Sequence, residues 1–422
     1  MSKFASLRQV CRRACALSLS LSLAAIAPAA VAAGAPSYND LLRQALSNAP
    51  ALQEQAASVQ AAGAEARQAR ALPNPSFSAL AENLRAPQNN GESQRQDSFT
   101  VTQAFETGGK RGARIEAGER GLAAAEARER QTRVMFAANL AVAYATAEAA
   151  QQRKALTADE LARANDDLRA ARALVQAGKE AALRVAQASA SVAAAQAGEQ
   201  AAAADAIEAL ERLSALAGTT ETYTVIDKPF LTGAGTYRAS SGSPPGDAPA
   251  VARAAAERDA LASQARFEEK RWMPDIGVTA GTRSYGWTGG NGLIVGVTMA
   301  IPLFDRNEGN IEAARQRAVA ADARLQTARL EATANKRSAL AQVTAAGQRV
   351  EASMQGETAA AEAYRLGRIG YEGGKTSLLE LLAIRRLLAE AKALTIDARL
   401  ARVRALAALS VADGQIAFGE IK

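Results

Sequence analysis

Side chains able to do chemistry are few in this chain, and their spacing is poor for it. There is no His, and the only two Cys are Cys11 and Cys15. Two pairs of adjacent carboxylates stand out, Asp166-Asp167 and Glu268-Glu269. Both fall in helical patterns, where consecutive side chains splay apart, so both are expected to face solvent and not to converge on a metal. Gly108-Gly109-Lys110 resembles a phosphate-cradling loop, but the second half of that motif is missing. No catalytic constellation and no cofactor or metal site is read, so the chain is not expected to be an enzyme. Its function must lie in how its elements are built.

The N-terminal residues bound the setting. Lys3, Arg8, Arg12 and Arg13 precede an apolar run from Ala14 to Ala27, and Ala30-Val31-Ala32 offers a small-x-small cleavage site. Residues 1–32 therefore read as an export signal, with a run too short to span a bilayer. Both Cys lie inside it. The exported chain would have no thiol for a disulfide or catalysis, no Cys/His zinc site and no N-terminal Cys for lipid attachment. Losing those four cations lowers the formal charge from +7 to about +3, so the basic excess is mostly targeting sequence and nucleic acid is not an expected partner.

The remaining elements are organised around Ile301-Pro302-Leu303-Phe304-Asp305-Arg306-Asn307-Glu308-Gly309-Asn310-Ile311. An alternating run, Leu293 to Ile301, precedes it with the two-residue period of a strand. An Ala-, Arg- and Glu-rich tract follows and reads as one long helix. Pro302 should end the strand ladder, Asp305 should cap the helix with Glu308 completing a capping box, and Gly309 should permit a tight backbone path. A weaker copy, Gln103-Ala104-Phe105-Glu106-Thr107-Gly108-Gly109, occupies the same place earlier in the chain.

Read in order, Tyr38 to Ala71 is helical, 76–84 and 97–105 are strands, and a helix of about 90 Å runs from about Ile115 to Ala173. A second helix ends at Gly218. The programme then repeats, with strands at 275–285 and 293–301. Ile115/Ile311, Gly178/Gly374 and Gly218/Gly414 all match at an offset of about 196. The expected division is a first repeat at 33–218 (hairpin 113–217, tip near 178), a linker at 219–246, a second repeat at 247–414 (hairpin 310–413, tip near 374) and a tail at 415–422. Matching Phe105 to Phe304 makes the first elbow longer than the second by about three residues.

Strands of nine to eleven residues suit a tilted crossing of an outer membrane. Leu293, Val295, Val297, Met299 and Ile301 would face lipid, and Ile294, Gly296, Thr298 and Ala300 a lumen. Trp272 and the Tyr285/Trp287 pair bracket the third strand as an aromatic belt does. Four strands cannot close a barrel, and an open edge in lipid leaves backbone groups unpaired. Three copies giving twelve strands is the simplest closure. The long helices would extend from it as antiparallel hairpins, with seams such as Leu161-Leu168-Val175 and Leu381-Ile384-Leu388. A soluble sheet buried on one face, or a periplasmic coiled-coil protein with no pore, remains open from these residues alone.

The duplicated strand–strand–hairpin unit and the tips Val175-Gln176-Ala177-Gly178 and Tyr371-Glu372-Gly373-Gly374-Lys375 resemble the TolC-like outer membrane factors. The Pro302 elbow is most similar to the CzcC-typified branch that serves heavy-metal efflux. That resemblance implies a mainly α homotrimer with a 12-stranded β-barrel continued by an α-helical barrel, in the outer membrane of a Gram-negative bacterium. It implies partners as well: outer-membrane lipid, a periplasmic adaptor (membrane fusion) protein and an inner-membrane pump of the resistance–nodulation–division class. The implied cargo is divalent cations such as cobalt, zinc and cadmium. A drug-efflux or type I secretion duct is the alternative. The tips, with Gly178, Lys179, Gly373, Gly374 and Lys375, would meet the adaptor. Glu380 would line the entrance constriction, although Ala383 stands where a second acid is expected. The internal repeat sets Arg184 opposite Glu380, a candidate latch.

Overall fold

The computed structural model describes residues 34–88, 90–233 and 248–419. The signal sequence read at 1–32, most of the second half of the linker and residues 420–422 of the tail lie outside them. In chain order the elements are β1 (Gly34–Ala35), α1 (Tyr38–Asn48), α2 (Pro50–Gln68), β2 (Ser76–Glu82), β3 (Gln96–Phe105), α3 (Lys110–Gln176) and α4 (Ala182–Ala217). Then come β4 (Val225–Ile226), α5 (Pro249–Arg271), β5 (Ile276–Tyr285), β6 (Asn291–Met299), α6 (Glu308–Glu372) and α7 (Leu378–Asp413).

Several bounds depart from the sequence reading: α3 begins at Lys110 and not near Ile115, and β6 begins at Asn291, two residues before 293. The helix expected over Tyr38 to Ala71 is two helices, because Pro50 forces Ala49 into an extended conformation with ψ 127°. β2 stops at Glu82 and not at Leu84, since Asn83 turns the chain with φ 57°. β6 stops at Met299, two residues before Ile301.

At 67 and 65 residues, α3 and α6 are each about 100 Å long. Such helices hold together through narrow seams. On α6 the buried residues Ala314, Ala321, Leu325, Ala332, Ala339, Ala346 and Val350 recur in steps of seven and four, the period that keeps one stripe facing a supercoiled neighbour. Ala at those positions lets the axes approach closely. α3 packs against α2, α4, α5 and α7, and α6 against α5 and α7. The short helices are stacked end to end to match the long ones. The end of α4 abuts the start of α2, where a Cβ on Gly218 would come within 3.1 Å of Pro50 Cδ. The end of α7 likewise meets the start of α5 beside a cavity lined by Pro249 and Ala412.

The main core sits at the waist of the helical region. Leu41, Leu140, Tyr144 and Leu213 are fully buried there, and Tyr38, Tyr144, Phe230 and Phe418 stack edge to edge. β4, from the linker, pairs in parallel with β1. Buried Glu148 accepts from the backbone N–H of Phe230 (2.8 Å) and Leu231 (2.9 Å). The start, middle and end of the described chain are thus tied to one point on α3.

Candidate functional site

The sheet has the order β2-β3-β5-β6, antiparallel throughout, so β2 and β6 are its edges. Its register sorts most side chains, although Leu80, Ile294 and the belt residue Tyr285 fall on the polar face and Gln103 and Thr282 on the apolar one. One face carries Phe77, Phe99, Val101, Phe105, Ile276, Val278, Leu293, Val295, Val297 and Met299, all exposed. The other carries Ser76, Ser78, Gln96, Ser98, Thr100, Thr102, Thr279, Arg283 and four glycines of β5 and β6. A continuous apolar face of this size, exposed to solvent, marks contact with lipid or protein. No helix among the described residues is long and apolar enough to cross a membrane. Trp272 is exposed at one end of β5, and Tyr285 and Trp287 meet at 4.7 Å at the other.

Arg283 is the residue the sequence reading missed here. From the polar face of β5 its Nε donates to Ser98 Oγ at 2.9 Å and Nη1 to Gln96 Oε1 at 3.2 Å, and it pairs with Glu82 at 3.5 Å. One guanidinium thus strings three strands together. A charge at an inward strand position was the available signal.

The two elbows are held differently. After β3, Thr107 Oγ1 donates to the Pro274 carbonyl at 2.5 Å, Lys110 Nζ pairs with Asp275 at 2.7 Å, and Gly108 lies so near Met273 that a Cβ would overlap its sulfur. Arg114 pairs with Glu106 at 2.6 Å and donates to the carbonyls of Ala69 and Ala71 beyond the end of α2. The first elbow is therefore pinned to its own repeat and to the second one.

The second elbow corrects several expectations. Asp305 does not cap α6: Asn307 is the N-cap, with φ 61°, and Asp305 Oδ1 instead accepts from the Asn307 N–H at 2.8 Å in a local turn. Glu308 is the first helical residue, too early to close a capping box. Gly309 lies inside the helix, where a Cβ would meet nothing. Pro302 follows the strand end as read, but Phe304 is not the counterpart of the strand residue Phe105. It sits in the loop, fully exposed. Four residues, 106–109, join β3 to α3, against eight, 300–307, between β6 and α6. The second elbow is the longer one, the reverse of the length read from Phe105 and Phe304.

Its anchor is Glu268, which the spacing had assigned to solvent. Glu268 is buried, accepting from Asn307 Nδ2 at 2.9 Å, Gln264 Nε2 at 3.3 Å and Arg271 Nη1 at 3.0 Å. Asn307 Nδ2 also lies 3.1 Å from the Glu268 carbonyl. Glu269 pairs with Arg315. The Asp pair divides the same way, Asp166 to Arg169 and half-buried Asp167 to Arg385 of α7. Adjacent carboxylates do splay, but onto arginines.

At the far end, Gly178 (φ 70°) and Gly374 (φ 72°) end α3 and α6. The N–H groups of Lys179 and Lys375 return to Leu174 O (2.9 Å) and Gly370 O (2.7 Å), so both tips are the same left-handed stop. Gly178, Lys179, Gly373, Gly374 and Lys375 are all exposed. Arg184 pairs with Glu180 at 3.8 Å, and Glu380 is exposed in the first turn of α7, its backbone N–H capped by Ser377 Oγ. One chain by itself does not join Arg184 to Glu380. Above the tips, a cavity of about 380 Å³ between α3, α4 and α7 is lined by Glu160, Arg163, Arg385 and Lys392. Burial pushes the Glu160 carboxyl above its ordinary range, against the pull of Arg385. Among the described residues no cluster of His, Cys, Asp and Glu is arranged to hold a metal.

Long helical hairpins joined to a four-stranded sheet with one apolar face define an outer-membrane channel fold. The chain belongs to the outer membrane efflux protein family, whose model matches residues 41–219 and 246–415. It is 58% identical over 389 residues to the nickel-cobalt-cadmium resistance protein NccC of Alcaligenes xylosoxydans xylosoxydans, covering 92% of this chain and 89% of that one. It is also 58% identical over 391 residues to the nickel and cobalt resistance protein CnrC of Cupriavidus metallidurans, covering 92% and 93%. To the cobalt-zinc-cadmium resistance protein CzcC of the same species it is 28% identical, covering 77% of each chain. Among solved structures, the outer-membrane channel OprN superposes with a TM-score of 0.74 at 22% identity, covering 90% of each chain.

Proposed function

We propose that three copies of this chain form the outer-membrane duct of a tripartite efflux system that expels divalent heavy-metal cations, nickel and cobalt foremost. The observation that carries the duct is the sheet with two open edges and an apolar outer face. In lipid each unpaired edge group costs several kcal/mol, so the edges must close on other copies. Two relatives at 58% identity, named for nickel and cobalt resistance, support the cargo, and add nickel to the cobalt, zinc and cadmium expected from the elbow. The chain would be exported by its first 32 residues, carry no lipid anchor and extend its helices into the periplasm of a Gram-negative cell. A periplasmic adaptor would engage the tips around Gly178 and Gly374, and an inner-membrane resistance–nodulation–division pump would supply the energy.

The duct itself needs no tight metal site, because strong chelation would slow release. Glu380 is proposed as an acidic ring at the entrance, with Arg184 of an adjoining hairpin as its closed-state partner. Location and assembly test the reading. Native mass spectrometry of protein extracted from the outer-membrane fraction should give a trimer whose gel mobility changes on heating. A soluble monomer would favour the pore-less coiled coil and overturn the duct.

A further inference from the structure

The first elbow shows, inside one chain, what the second must find outside it. The elbow after β3 sits on the segment that leads into β5, the strand next to β3. The contacts are Gly108 against Met273, Thr107 on Pro274 and Lys110 on Asp275. The elbow after β6 has no such neighbour within the chain, because β6 is an edge. The matching lead-in, Leu72-Pro73-Asn74, precedes β2 at the opposite edge. Leu72 is exposed to 69%, Leu303 to 67% and Phe304 to 100%. The loop that presents Leu303 and Phe304 is nonetheless held firmly, by Asn307 on Glu268 and by Asp305 on the Asn307 N–H.

We propose that Leu303, Phe304 and Arg306 dock on the Leu72–Asn74 segment of a second copy of this chain. The assignment rests on the trimeric reading above and adds residues to it. Aligned on their left-handed caps, Gly109 (φ 76°) and Asn307 (φ 61°), the two elbows match at an offset of 198, two residues from the 196 that the helices keep. Arg306 then takes the place of Gly108 opposite Leu72, and Glu308 that of Lys110 opposite Asn74. The Lys110–Asp275 ion pair becomes a carboxylate facing an amide donor, which is equally complementary. The longer second loop brings Leu303 and Phe304 over Leu72, apolar surface that lipid-facing strands cannot cover. A segment beside an open strand edge is covered when that edge pairs, so this contact continues the barrel's own closure.

The test is disulfide capture in protein made with its whole chain, since Cys11 and Cys15 are the only native thiols. Leu72 and Arg306 lie at opposite edges of one sheet, so the double variant Leu72→Cys/Arg306→Cys can bridge only between copies, given the reach of about 7 Å between Cα atoms. Oxidation should give covalent dimers and trimers that neither single variant gives. A trimer by native mass spectrometry without those bands overturns the docking and leaves the duct intact. Absence of any wild-type trimer overturns both. Phe304→Ser supplies a second readout: its trimer should fall apart at a lower temperature than wild type with unchanged helical circular dichroism, and equal stability would contradict the contact. Quenching of a fluorophore on Phe304→Cys by brominated lipid would assign the loop to the bilayer and overturn it as well.

Discussion

Glu268 and Asn307 illustrate how much a single buried polar group decides. Removing the amide with Asn307→Ala leaves a buried carboxylate short of a donor, at a cost of about 1–3 kcal/mol. Thermal melting of the detergent-solubilised protein should show it, and Glu268→Ala combined with Asn307→Ala should cost less than the two singly added. Glu160 gives a pH dependence with a definite sign. Its carboxyl binds protons more readily folded than unfolded, so its penalty is absent below the ordinary value of 4.5 and grows as pH rises through the raised range. Glu160→Gln should therefore raise the melting temperature at pH 7 and leave it unchanged near pH 4. Glu380→Ala should lower cation selectivity in planar bilayers, and unchanged selectivity would remove it from the entrance. None of the polar anchors was legible beforehand. Glu268 and Asn307 are far apart in sequence, and their types alone fit a solvated helix face equally well.

Among the elements, helix ends were the most legible because their chemistry is local. Gly178, Gly218, Gly374 and Gly414 all adopt positive φ, where a Cβ is strained, and their shared offset made the duplication visible. Substitution should rank them by surroundings. Gly178→Ala pays only the backbone cost of about 1 kcal/mol, since nothing lies within 4 Å of its Cβ direction. Gly218→Ala also presses on Pro50 at 3.1 Å and on Ala49, so its melting temperature should fall further. The elbows were legible as strand-to-helix joints but not in length or capping. Two phenylalanines matched by type, Phe105 and Phe304, occupy a strand and a loop, and only the hydrogen-bond ladder separates those cases.

For the whole molecule, strand alternation foretold which residues of β6 share the apolar face, because a two-residue period leaves little freedom. The need for other copies followed from counting edges and not from any residue. Cargo was legible only through the resemblance of the Pro302 elbow, since among the described residues no carboxylate cluster is arranged to hold a metal. The direct measurement is metal tolerance in a strain lacking this chain, scored as growth and cell-associated metal with nickel, cobalt, zinc, cadmium and several drugs. The account predicts that nickel and cobalt tolerance falls severalfold and that the chain supplied in trans restores it. Unchanged metal tolerance with a rise in drug sensitivity would contradict it.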